Sequence, residues 1–245
     1  MRLTSPAGAS SHRSTDVEHI LRVASYNLRD FKDDGQAAAR VIRSINPDVL
    51  CLQEVPRHLM SSHRIAMLAA RCGLVWSGGH RGSGGTTVMS SVRLDVVDVQ
   101  HRSLKVGRFQ RERGYAVCQL RLHGHQIIGF VSVHLSLAAH ERAIHAGTLL
   151  DALPGGRPVV VAGDFNEGSD GQAWMAIAAR LCVVSGDAPT FPASNPRVRI
   201  DVIFASPELP VVSMPRGELD RADLVAATDH LPVWVDLDLS QVALG

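Results

Sequence analysis

At 245 residues, 45% apolar and 20% charged, the chain has the length and composition of a globular protein with a real core, as one large domain or two small ones. Its formal net charge of +1 argues against a protein that coats nucleic acid through a general basic excess, although a local basic groove stays compatible with it. Residues 1–19 lack the apolar stretch of a secretion signal, and no run is long and apolar enough to span a bilayer, so a cytoplasmic protein is expected, without membrane insertion.

The expected organisation is a disordered N-terminal tail over residues 1–20 and a single domain over residues 21–240. Leu21–Tyr26 predicts a strand ending at Asn27, and Gln36–Ile45 a helix with Ala38, Val41, Ile42 and Ile45 on one face that stops before Pro47. Val49–Leu52 predicts a buried strand followed by Gln53 and Glu54, and Leu59–Arg71 a helix with Gly73 as its C-cap. The glycine-rich Gly78–Gly85 reads as a flexible connector or a phosphate-cradling lid; it lacks the Gly-Lys-Ser/Thr of a P-loop. Thr86–Met89 and Leu94–Val99 follow as strands. Tyr115–Leu122 and Gln126–His134 form a predicted hairpin around His123-Gly124-His125. Ala138–Leu153 predicts a helix with His140 and His145 at its surface, Pro158–Ala162 a buried strand, Gln172–Leu181 a helix, and Ile200–Phe204 and Leu231–Leu239 strands. Trp76, Trp174 and Trp234 read as core. Cys51, Cys72, Cys118 and Cys182 form no C-x-x-C pair, and they read as buried free thiols in a reducing cytosol. Without an internal repeat or linker, the reading is one α/β domain with two sheets face to face, helices outside, and a site among the loops at one sheet edge.

Six polar clusters follow apolar strands: Asn27, Glu54, His134, Asp164 with Asn166, Asp201, and Asp229-His230. Singly, each has an ordinary explanation: a cap or turn for Asn27, a solvated strand end for Glu54, a satisfied core histidine for His134, an Asx-rich turn after Asp164. Six at the ends of buried runs point to one shared site, and the residue types suit phosphoester hydrolysis. The negative charge of a phosphoester repels hydroxide, and Mg²⁺ counters it while taking one or two carboxylates, an amide oxygen and waters. Glu54, Asp229 and Asn27 supply such a set. Asp164 suits relieving a water of its proton, and Asn166, His134 and His230 suit holding the non-bridging oxygens. Asp201 and Glu112 are carboxylates available behind the two histidines.

Taken together and in order, Ser25-Tyr26-Asn27, Leu52-Gln53-Glu54, Val133-His134-Leu135, Gly163-Asp164-Phe165-Asn166, Arg199-Ile200-Asp201-Val202-Ile203-Phe204 and Thr228-Asp229-His230-Leu231-Pro232-Val233 resemble the endonuclease/exonuclease/phosphatase superfamily. That group includes deoxyribonucleases, abasic-site endonucleases, sphingomyelinases and inositol polyphosphate 5-phosphatases. The resemblance, from about Leu21 to Leu239, implies a four-layer α/β sandwich of two mixed sheets with a divalent metal at one sheet edge. It implies Glu54 as metal ligand with Asn27 and Asp229 close by, Mg²⁺ as cofactor with Mn²⁺ able to substitute, and Asp164 orienting the nucleophilic water. It also implies an Asp201–His230 pair and a phosphate-holding His134. Glu112-Arg113 resembles the strand-entry motif whose glutamate backs the first histidine in the deoxyribonucleases; Arg111-Glu112-Arg113 reads equally as a solvated charge run.

Departures bear on substrate. The Trp-Cys-Asp-Arg signature of the 5-phosphatases is replaced by Val198-Arg199-Ile200-Asp201, and residues 205–229 hold no aromatic side chain to stack a base, which counts against a single-strand nuclease. Thr190-Phe191-Pro192 resembles small bacterial members. The expected function is a metal-dependent phosphodiesterase acting on nucleic acid, DNA or RNA, by water attack on phosphorus. A small-molecule or lipid phosphoester is the alternative substrate, and an inactive binding module on the same fold is the remaining rival. No obligate protein partner is evident.

Overall fold

In the computed structural model, which describes residues 18–215 and 217–242, the period-two alternation of the strands sorts side chains into two kinds of buried layer. In chain order the first half comprises β1 (Ile20–Asn27), α1 (Gly35–Ile45), β2 (Val49–Gln53), α2 (Ser61–Cys72), β3 (Val75–Trp76), β4 (Thr87–Ser90), β5 (Leu94–Leu104) and β6 (Arg113–Leu122). The second half comprises β7 (Ile127–His134), α3 (Ala139–Ala152), β8 (Val159–Asp164), α4 (Gln172–Ala178), β9 (Cys182–Val183), β10 (Asp201–Ala205), β11 (Val211–Val212), α5 (Arg221–Ala227) and β12 (Val233–Asp238). The strands form two mixed six-stranded sheets, ordered β11-β12-β1-β2-β4-β3 and β5-β6-β7-β8-β10-β9.

One face of each sheet packs on the other sheet: Leu21, Val23, Val49 and Cys51 meet Phe130, Val160, Ala162 and Ile203. The opposite faces take helices. Tyr26, Leu50 and Leu52 pack on α1 and α2, whereas Val131, Val161 and Phe204 pack on α3 and α4, where Trp174 stacks edge-on against Phe204. The result is the expected four-layer sandwich. Helix ends follow local chemistry. Asp34 caps α1 by accepting from Gln36 N and Ala37 N, and Gly73 closes α2 in the left-handed conformation.

Several expectations need adjustment. Residues 1–17 of the expected tail lie outside the described residues, but Glu18 and His19 are tied down, the first through its carbonyl to Arg93 and the second to His125 at 3.1 Å. Strand β5 runs on to Leu104 because its ladder with β6 carries it past the end of apolar alternation. Helix α4 ends at Ala178, short of Leu181. Helix α5 was not expected; it buries only Ala227, so it carries almost no apolar signal. His145 is buried rather than on the surface, its Nε2 lying 2.8 Å from Lys105 O. Nor is Gly78–Gly85 a loose connector throughout. A Cβ on Gly84 would meet the backbone of Arg113 at 2.5 Å, and the buried Ser83 hydroxyl is held to His80 O and Thr86 O.

Gly163 tests how tightly the site's frame is built. A Cβ there would lie 1.9 Å from Val133 O, within the β7–β8 pair that sets His134 beside Asp164. Gly163→Ala should lower stability by about 3 kcal/mol through overpacking of a close backbone approach. Gly147→Ala on α3, where nothing meets the added methyl, should be neutral or stabilising. Urea midpoints of the two variants check this, and equal midpoints would refute it.

Candidate active site

The inter-sheet layer changes from apolar to polar along β1, β2, β7 and β8. On β1 the inward residues run Leu21, Val23, Ser25, Asn27; on β2, Val49, Cys51, Gln53; on β7, Ile128, Phe130, Ser132, His134; on β8, Val160, Ala162, Asp164. On β10, which runs antiparallel to β8, the order reverses and Asp201 is reached first, so His134, Asp164 and Asp201 stand side by side in register. Just below them Gln53 straddles the two sheets, accepting from Ser25 Oγ at 3.3 Å and donating to Ser132 Oγ at 3.0 Å. Above it, Asn27 Nδ2 donates to Asp164 Oδ2 at 3.0 Å, again from one sheet to the other.

Asp164 is the hub. Its Oδ1 accepts from Asn166 N at 2.9 Å; its Oδ2 lies 3.4 Å from His134 Nε2 and 3.8 Å from His230 Nε2. Burial, with the Asp201 carboxylate close by, pushes the Asp164 carboxyl up to about 7. Burial opposes charge on His230, but Asp201, hydrogen-bonded to His230 Nδ1 at 2.9 Å, together with Asp164 and Asp229, outweighs it and pushes the imidazole up to about 10. His134 goes the other way. Burial, then the cations Arg113 and His230, hold it neutral, well below its ordinary range. The Thr190–Pro192 segment braces the pair: the Thr190 hydroxyl accepts from Ile200 N and Asp201 N, and the Phe191 ring lies 4.9 Å from the His230 ring. Asn166, in left-handed backbone, donates its side-chain amide to Leu135 O at 3.0 Å.

Glu54, at φ 51°, follows β2; its Oε1 lies 4.0 Å from His134 Nε2 and its Oε2 accepts from Arg111 Nη1 at 3.0 Å. Arg111 Nη2 also donates to Asp30. Asn27 has turned its amide nitrogen to Asp164, and its Oδ1 accepts from Arg29 N at 3.0 Å. Asp229 Oδ2 lies 3.3 Å from Arg29 Nε. Glu54 and Asp229 therefore each face an arginine, so these hard oxygen donors already demand positive charge. That donor chemistry fits a hard divalent cation. A second group, Asp164, Asp201 and His230, brings three donor atoms within 4.8 Å of one another. There Asp201 Oδ2 and His230 Nδ1 are already hydrogen-bonded to each other.

The structure brings eight of the nine expected residues to one edge and leaves out Glu112. That side chain is 70% exposed and pairs with Arg57 at 2.5 Å, while His134 Nδ1 has no partner among the described residues. The reason is alternation. Strand β6 begins at Arg113, and the buried side chain at the strand entry is Arg113, whose Nε donates to Leu135 O at 3.0 Å; Glu112 faces outward. Arg29, Asp30 and Gln53 were not singled out from the sequence. Gln53 alone left a signal, as a polar residue in step with inward-facing apolar ones.

Residues 24–230 match the Endonuclease/Exonuclease/phosphatase family. The fold is also that of solved structures. A Beutenbergia cavernae endonuclease/exonuclease/phosphatase is 26% identical with a TM-score of 0.68, over 90% of this chain and 72% of that one. The human Nocturnin catalytic domain is 18% identical with a TM-score of 0.67, over 91% and 96% of the two chains. A Bacteroides thetaiotaomicron mannosyl-6-phosphatase is 20% identical with a TM-score of 0.64, over 89% and 99%. Comparison with curated proteins gave no match. With the family matched over most of its length and the site's polar residues gathered at one end of the inter-sheet layer, the chain belongs to the endonuclease/exonuclease/phosphatase family.

Proposed function

We propose that the chain hydrolyses a phosphoester by direct attack of water, with Mg²⁺, or Mn²⁺ in its place, held by Glu54, Asn27 and Asp229. The observation that carries this reading is the buried Asp164 carboxylate, fixed by Asn27 and Asn166 and flanked by one neutral and one cationic histidine. A carboxyl pushed up to about 7 suits accepting the proton of the attacking water near neutral pH. His230, kept protonated by Asp201, donates to a non-bridging oxygen as charge builds there, and neutral His134 offers a second donor. Asp201 acts through His230 and is a positioning residue. Asn166 holds the turn after Asp164 and keeps its own amide near the substrate. The cation, when bound, neutralises charge on the phosphoryl oxygens. The leaving alkoxide takes up a proton from solvent as the phosphorus–oxygen bond breaks, and the proton held on Asp164 is returned to solvent.

Two substrate readings each have a specific observation in support. A nucleic-acid phosphodiester is supported by a cleft beside the site where Lys32, Arg57, His58, Arg64 and Arg111 outnumber the single acid, Asp30. A small-molecule or lipid phosphoester is supported by the apolar character of the site's rim, taken up below; the fold's likeness to a mannosyl-6-phosphatase adds a sugar monoester to the panel. Cys51 and Cys118 are buried as expected, whereas Cys72 is half-buried and Cys182 exposed; four free thiols fit a reducing cytoplasm. Among the described residues no helix is long and apolar enough to cross a membrane.

Turnover of a phosphoester from a panel of nucleic acids, sugar phosphates and phospholipids should vanish in EDTA and return with Mg²⁺ or Mn²⁺. Full activity after exhaustive chelation would exclude the mechanism. Asp164→Asn and His230→Ala should each lower kcat by about 10²–10⁴, and Asp201→Asn by less, with circular dichroism unchanged. A native-like Asp164→Asn with intact kcat would remove the proposed base. Because Arg111 neutralises Glu54 in the cation's place, Arg111→Gln should tighten Mn²⁺ binding without substrate by about tenfold, a difference of about 1.4 kcal/mol. Titration by electron paramagnetic resonance reads this directly, and unchanged or weaker affinity would show that the arginine does not compete.

A further inference from the structure

Large apolar side chains left in water are concentrated at one place. Among the described residues, six are more than 60% exposed: Leu59, Met60, Val92, Phe109, Leu137 and Ile144. Four of them, Leu59, Met60, Phe109 and Leu137, sit on three loops that open from the site's edge, directly after Glu54, just before Arg113 and directly after His134. The loops are joined. Arg57 pairs with Glu112, the Ser136 hydroxyl reaches Gln110, and Gly107 N donates to Glu141. Scattered single apolar residues are ordinary on a surface; a connected rim of them around a site is not.

Two of the four are also held against their backbone preference. Phe109 and Met60 both adopt φ 69°, the left-handed region that a bulky side chain rarely enters, and Phe109 is 95% exposed there. Met60 does so as the N-cap of α2, its carbonyl accepting from Arg64 N at 3.2 Å, whereas the exposed Phe109 ring makes no contact with the core that would offset its conformation. Positive charge accompanies the rim. Arg108 lies 5.2 Å over the Phe109 ring, Lys105 and His58 are exposed nearby, and the exposed carboxylate of Glu112 is already taken by Arg57. Base stacking requires ring faces, and only one of the four apolar residues has one; three aliphatic tips suit acyl chains instead.

We propose that this rim is a membrane-docking surface. Phe109, Leu59, Met60 and Leu137 enter the interface of an anionic bilayer while Arg108 and Lys105 take lipid phosphates, and the phosphoester presented to Asp164 is carried by a lipid at that surface. Cationic side chains beside inserted apolar ones are what an anionic leaflet attracts. The substrate half of this proposal rests on the hydrolase reading above; the docking half does not.

Sedimentation with vesicles of phosphatidylcholine and phosphatidylserine tests it. The wild type should pellet with them, and Phe109→Ser/Leu137→Ser should lower partitioning by about tenfold or more. Val92→Ser, at the opposite end of the sheet, should leave it unchanged. Arg108→Gln should weaken binding only where phosphatidylserine is present. Phe109→Gly should also weaken binding without lowering the thermal midpoint, because glycine enters the left-handed region freely. Turnover of soluble bis(p-nitrophenyl) phosphate with Mn²⁺ should survive in the double serine variant. A wild type that ignores vesicles, or a double variant that binds as well, overturns the docking. Loss of oligonucleotide rather than vesicle binding overturns it in favour of a nucleic-acid surface. Intact vesicle binding with no turnover of any phosphoester strikes the hydrolase reading and leaves the docking standing.

Discussion

A carboxylate buried between two sheets is expensive to ionise unless every lone pair finds a donor, and Asp164 sits in that position. Much of the surrounding geometry follows from meeting its demand. Asn166 folds back to give its backbone amide to one oxygen, and Asn27, reaching over from the other sheet, donates to the other, which the two histidines also approach. Because one of these donors belongs to the opposite sheet, the same contact that satisfies the carboxylate also fixes how the two sheets meet. The Gln53 bridge to Ser25 and Ser132 repeats the device one layer down, where it separates the hydrocarbon layer from the charged end. Polar residues below the site thus do structural work that hydrophobic ones could not, since an apolar contact at that level would leave Asp164 without a polar floor.

The carboxylates at the mouth obey the same rule with a different partner. Glu54 and Asp229 are less buried than Asp164 and are met by guanidinium groups rather than amides. Arg29 and Arg111 also hold Asp33 and Asp30, so the strained turn through Arg29, Asp30 and Phe31, all in left-handed backbone, is clasped from both sides. On the proposed reading, a bound cation would replace one kind of positive charge at these carboxylates with another without a change of fold.

How legible this was depends on which physical signal each residue leaves. Apolar alternation located the central strands, and a polar residue at the end of each marked the edge where His134, Asp164 and Asp201 come into register. Helix α1 was legible because its apolar face and the stop before Pro47 coincide. Glu112 misled because neighbours at a strand entry differ only in which face they take, and that depends on the residue where pairing begins. Arg29 and Arg111 were illegible in their present role, since an ion pair between residues 57 positions apart, as for Arg111 and Glu54, has no periodic signature. Helix α5 and strands β3, β9 and β11 were missed because each is short or buries too little to pattern the sequence.

The contrast between frame and rim bears on how such a site could acquire a substrate. The residues that would perform hydrolysis project from strands whose register is fixed on both sides, and at Gly163 even a methyl group has no room. The rim residues lie on loops held to one another by Arg57–Glu112 and Ser136–Gln110, and to α3 through Glu141 and Arg142. Strain at Phe109 and Met60 is affordable there because the two sheets are stabilised independently of it. On the docking proposal, changing a rim side chain would alter what is brought to Asp164 while leaving the chemistry at Asp164 alone. Substrate range within one family could then vary by loop composition over an unaltered set of strand ends.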